Sequence, residues 1–129
     1  MLNLYTATIT TNASGAATVT LGSRCRGEIK YISLVAGTLA ATTSGTISLV
    51  GANTGVPVLG SPTPVAFTTG VTAWYYPMAA CNKVATGAAS TILEVPVCLY
   101  LEGVTVTVAG GDNVKTGTIN MLIDEQVIG

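Results

Sequence analysis

The chain contains no histidine, so it lacks the commonest general base, the usual partner of a nucleophilic serine or cysteine, and the commonest transition-metal ligand. Its acidic residues are four glutamates and two aspartates. Glu94 and Glu102 fall on neighbouring expected strands and could form a carboxylate pair of glycosidase type. The simpler expectation is two solvated carboxylates on strand edges. Arg24-Cys25-Arg26 sets a thiol between two cations, a setting that lowers a thiol pKa. With no histidine to complete a catalytic surround, Cys25 reads as a small residue between strands. The two arginines beside an expected turn are suited to pairing with a carboxylate of a neighbouring subunit.

Other signals are weaker. Gly110-Gly111-Asp112-Asn113 fits neither a P-loop nor an EF-hand, and its Asp and Asn are ordinary turn formers. Asn12-Ala13-Ser14 matches a glycosylation sequon, which has no consequence without secretion. Cys25, Cys81 and Cys98 are odd in number and lack CxxC spacing, as expected of thiols in a protein made in the cytoplasm. Three thiols without histidine make a poor zinc site. The expectation is a chain with no metal, no cofactor and no catalytic residues.

One stretch stands out, Gly70-Val71-Thr72-Ala73-Trp74-Tyr75-Tyr76-Pro77-Met78. It gathers three aromatic residues in a chain only 5% aromatic. In an extended segment Trp74 and Tyr76 point to one face and Tyr75 to the other. A sugar-stacking platform would have polar residues beside its rings. Here the flanks are Ala73, Pro77, Met78 and Ala79, which favours protein contact. Trp74, Tyr75, Tyr76 and Met78, with Arg24 and Arg26, are therefore the candidate partner interface.

The elements that must carry these residues follow a period of two. Tyr5-Ala7-Ile9 alternate with threonines, as do Ala17-Val19-Leu21, and Thr11 to Gly15 lies between them as the turn of a first hairpin. Val104-Val106-Val108 and Ile119-Met121-Ile123 flank Ala109 to Asn113 as a second hairpin. Further strands are expected at Glu28–Val35, Thr46–Val50, Val71–Tyr76 and Ile92–Leu101, with Pro96 at an edge, a bulge or a break. Met78 to Ala89 reads as a long loop with room for one helical turn. Short strands and glycine-rich turns across residues 1–129 predict a single all-β domain, an antiparallel β-sandwich or jelly-roll-like barrel.

Composition narrows the role. Only 9% of residues are charged, against about 25% in an average soluble domain, and the surface must rely on 21 threonines with Ser, Gly and Ala. Such a surface suits a subunit docked in an assembly. A net charge of −1 with no basic run argues against nucleic acid. No apolar run approaches the length of a membrane-spanning helix, and no signal peptide is evident.

The opening YTATITTNASGAATVTLGS, then RGEIKYISLVAG, and the closing VTVTVAGGDNVKTGTI are similar to small structural proteins of tailed-bacteriophage virions. They resemble auxiliary head proteins of the decoration or cement kind. Thr38 to Thr91 carries no such resemblance. The resemblance implies a non-enzymatic capsid-stabilising subunit, a homotrimer at the symmetry axes of an icosahedral shell. Its partners would be itself and the major capsid protein or another virion subunit, with no nucleic acid or membrane. It would be made in the host cytoplasm and located in the virion. A carbohydrate-binding module using Trp74, Tyr75 and Tyr76 is the competing expectation.

Overall fold

The structure, a computed structural model, describes residues 1–40, 45–59, 64–82 and 89–125, and for 78–82 and 89–96 the backbone alone. The described residues form nine strands and no helix. These are β1 (Leu2–Thr10), β2 (Ala17–Val35), β3 (Gly45–Gly51), β4 (Val65–Phe67), β5 (Thr72–Tyr75), β6 (Met78–Asn82), β7 (Ala89–Pro96), β8 (Cys98–Ala109) and β9 (Thr116–Glu125). The fold is all-β and antiparallel, one sheet curled into a half-barrel in a single small domain. Its main path runs β1-β9-β2-β8-β3-β4, with β5 on β2, and β6 and β7 pair separately.

The curl comes from β2. Its first part, Ala17 to Glu28, pairs with β8. Its second part, Gly27 to Val35, pairs with β9, and Ile32 to Val35 also take β5. Within the first part the register slips at Gly22–Arg24 and again between Cys25 and Arg26, and both Gly22 (φ +68°) and Gly27 (φ +148°) adopt conformations that favour glycine. A Cβ on Gly27 would lie 2.0 Å from the Asp124 carbonyl oxygen, so the crossing of β2 over β9 requires a residue without a side chain.

Both expected turns form, but neither makes a hairpin. β1 pairs with β9, and the start of β2 pairs with β8, so the strand entering each turn bonds to the strand leaving the other. The turns themselves dock together. Gly111 N donates to Gly15 O at 2.8 Å, and the buried Thr11 hydroxyl donates to Asp112 O and accepts from Lys115 N. Gly15 and Gly110 have positive φ, and a Cβ on Gly15 would come within 2.9 Å of Asp112 N. Alternation and turn residues specify a reversal of direction. Backbone-to-backbone contact between the two turns then decides which strands pair.

Two other expectations are corrected. Met78 to Ala89 is not simply a loop, because it begins with β6 and β7 starts at Ala89; residues 83–88 lie outside those described. Ile92 to Leu101 is two strands, β7 ending at Pro96 and β8 beginning at Cys98. Pro96 thus stands at a break, where its missing N–H leaves no ladder bond unmade.

Inside the curl lies one apolar cluster. Ile9, Leu21, Ile32, Leu34, Ile47, Val104, Val106, Ile119, Met121 and Ile123 have almost no exposed surface. Each such side chain contributes roughly 1.5–3 kcal/mol relative to an exposed one, which fixes the inward parity of the long strands.

Candidate functional site

The outer face of β1, β9, β5 and the second part of β2 carries the aromatic stretch. Registers place Thr6, Asn120, Ser33 and Trp74 in one cross-strand row. Leu4, Leu122 and Tyr31 form the adjacent row. Trp74 is 54% exposed, Leu4 57% and Tyr76 67%, and Leu2 and Val35 are also exposed. Tyr31 meets Trp74 edge to face, with ring centroids 5.2 Å apart and an interplanar angle of 68°. That geometry is worth about 0.5–1.5 kcal/mol beyond simple burial.

The polar groups beneath the rings are occupied with one another. Thr6 Oγ1 donates to Asn120 Oδ1 at 2.9 Å, and Asn120 Nδ2 donates to Ser33 Oγ at 3.3 Å. Ser33 is buried within this row although it faces outward. The face therefore offers apolar and aromatic surface, with its central amide already engaged.

Trp74 and Tyr76 share the outer parity, and Tyr75 turns inward to pack half-buried on the core. The Tyr75 hydroxyl is buried and has no hydrogen-bond partner among the described residues. Burial pushes its phenol pKa up. Met78 opens β6, and its side chain lies outside the described residues. The arginines are elsewhere. Arg24 is exposed, and the Arg26 guanidinium sits over the Tyr100 ring, 5.1 Å from its centroid. Arg26 precedes Ser33, the partner of Trp74, by seven residues of β2, a contour of roughly 23 Å. The structure does not bring the arginines and the aromatic stretch into one site.

The remaining candidates resolve individually. Cys25 is buried, and burial pushes its thiol up, so the flanking arginines do not activate it. Its sulfur fills the space above Gly22, where a Cβ would lie 2.3 Å away. Tyr5 shares this corner and donates to the Glu125 carboxylate; that bond first, and burial second, hold the Tyr5 phenol well above the usual tyrosine range. Asn12 of the sequon spends its Oδ1 on Ser14 N, Ser14 Oγ and Ala16 N as a turn former. Cys81 and the Glu94 side chain lie outside the described side chains. Among the described residues no three metal-ligating side chains cluster.

Glu102 is not the solvated edge carboxylate expected, being only 5% exposed. The cause is Leu101, at φ +55°, which adds a residue to β8 between the Cys25–Glu102 and Arg26–Tyr100 pairs and turns Glu102 inward. Tyr31, Leu4 and Leu122 were also not anticipated as parts of the aromatic face. Leu2 and Leu4 gave a usable signal, because they stand on the threonine parity of β1, opposite Tyr5, Ala7 and Ile9.

No protein-family model matches the sequence, and no curated protein matches it.

Proposed function

We propose that this chain is a non-enzymatic virion structural subunit of the capsid decoration or cement kind, binding copies of itself and a shell subunit of a tailed phage. The carrying observation is the outer face on which exposed Leu4, Trp74 and Tyr76 accompany the half-buried Tyr31, and whose neighbouring polar groups bond to one another. Rings and leucines, with only the indole N–H and the phenol hydroxyls as polar tips, suit recognition of a partner by shape and apolar burial, as in protein interfaces. A charge-poor, hydroxyl-rich surface and the resemblance of the two terminal blocks support the same reading. Self-association about a threefold axis would cover this face on each copy.

Cosedimentation tests the proposal, using shells assembled from the genome that encodes this chain. Saturable binding that Trp74→Ala abolishes is the expected result. A protein that stays at the top of the gradient would overturn it. The exposed Trp74 and Tyr76 rings also give a carbohydrate-binding reading its one support. Retention on polysaccharide resin, with no binding to shells, would favour that reading.

A further inference from the structure

A second site lies away from the aromatic face, between the turn after β3 and the start of β8. Gly51, Thr54, Val56, Val58, Leu99 and Glu102 help line a cleft of about 270 Å³ there, with Tyr100 also on its wall. The walls are mostly apolar, and the acidic group among them is the Glu102 carboxylate. Thr54 Oγ1 donates to Glu102 Oε1 at 3.0 Å. Among the described residues no cation stands within ion-pair distance of this carboxylate, and the nearby Arg26 lies over the Tyr100 ring instead. The space for its tip exists because residue 51 is glycine, whose Cβ would fall 1.8 Å from Oε1.

A glutamate more than nine-tenths buried, with its carboxylate at the floor of a largely apolar cleft, is suited to a cation that brings little water with it. The volume is just below the range of sites for drug-sized ligands, so the occupant is a fragment or one side chain. We infer that this cleft binds a primary ammonium on an unbranched aliphatic stem, with the stem against Val56, Val58 and Leu99 and the ammonium on Glu102. A lysine side chain of a neighbouring subunit and a free alkylamine share this chemistry.

The test is amide NMR titration with n-butylammonium, 1-butanol and butyrate. Saturable shifts at Gly51, Thr54, Leu99 and Glu102 are expected, with butylammonium binding at least tenfold more tightly than butanol and butyrate not binding. Glu102→Gln should reduce that preference to twofold or less while keeping butanol affinity. Val56→Phe, at an exposed rim position, should block both ligands, and it provides a second reading should Glu102→Gln not fold. Equal binding of butanol and butylammonium, an ammonium preference that survives Glu102→Gln, or no saturable shift with any probe would overturn the assignment. Light scattering in saturating butylammonium distinguishes the sources. Dissociation of an oligomer by butylammonium identifies a lysine of a second copy as the occupant, and an oligomer of unchanged mass excludes that source.

Discussion

The two parts of β2 face the same core and present opposite surfaces. Toward the inside, Leu21 and Cys25 in the first part correspond to Ile29, Ile32 and Leu34 in the second, all buried. Toward the outside, the first part shows Thr18, Thr20 and Arg24, and its β8 neighbours opposite Thr18 and Thr20 are Thr107 and Thr105. The second part shows Tyr31 and Val35, with Trp74 standing over Ser33. Folding imposes the inner pattern along the whole strand. It constrains the outer one far less, and the change from hydroxyls to rings within a single strand is the contrast on which the proposed interface rests.

The most damaging way to break this comparison is to attack the joint between the two parts. Gly27→Val should cost about 3 kcal/mol or more in urea denaturation, combining an unfavourable φ with a clash against Asp124 O. A loss below 1 kcal/mol would mean that β2 does not cross β9 as described. Next in size, Trp74→Ala should weaken self-association by roughly 2 kcal/mol in sedimentation analysis, the hot-spot threshold. Thr20→Ala or Thr107→Ala, on the hydroxyl side, should change association by no more than about 0.5 kcal/mol. Equal effects on both sides would erase the functional contrast.

A smaller effect is expected at the ring that turns inward. Tyr75→Phe removes a buried hydroxyl with no partner among the described residues, and should leave stability unchanged or raise it by about 1 kcal/mol in thermal unfolding. A loss above 1 kcal/mol would show that this hydroxyl is bonded. The smallest effect lies in the corner of the first part of β2. The folded-state pKa of Tyr5 is raised, so the folded protein holds that proton longer than the unfolded chain. Stability should therefore be level in this respect below the ordinary tyrosine pKa of about 10 and fall as pH rises above it. Tyr5→Phe should flatten that part of the pH profile, and an unchanged slope would remove the Tyr5–Glu125 bond from the account.

Local features were legible in the sequence, and partnerships were not. The strands around Ile9, Val106 and Met121 follow from alternation, because one face must meet the core. The turns at Gly15 and Gly110 follow from residue type. Which strands pair depended on Gly15 and Gly111 packing backbone to backbone, almost a hundred residues apart in the chain, and no local pattern encodes that. Burial of Glu102 escaped for a related reason. Leu101 adopts a conformation that leucine rarely takes, and the resulting shift of parity has no signature in residue type. In the aromatic stretch the alternation of Trp74, Tyr75 and Tyr76 could be read directly, whereas its neighbours on the face came from strands brought together only by folding.

The pairing of β1 with β9 also has a consequence in time. All nine residues from Leu2 to Thr10 take their partners from Thr116 to Asp124. At cellular rates of synthesis, roughly 5–20 residues per second, β1 leaves the ribosome on the order of ten seconds before its only described partner strand does. During that interval Leu2, Leu4 and the backbone of an uncharged strand are open to other nascent chains on the same message. Slow decoding of the stretch between β1 and β9 would lengthen the exposure, and the yield of soluble protein would then depend on how fast the chain is made.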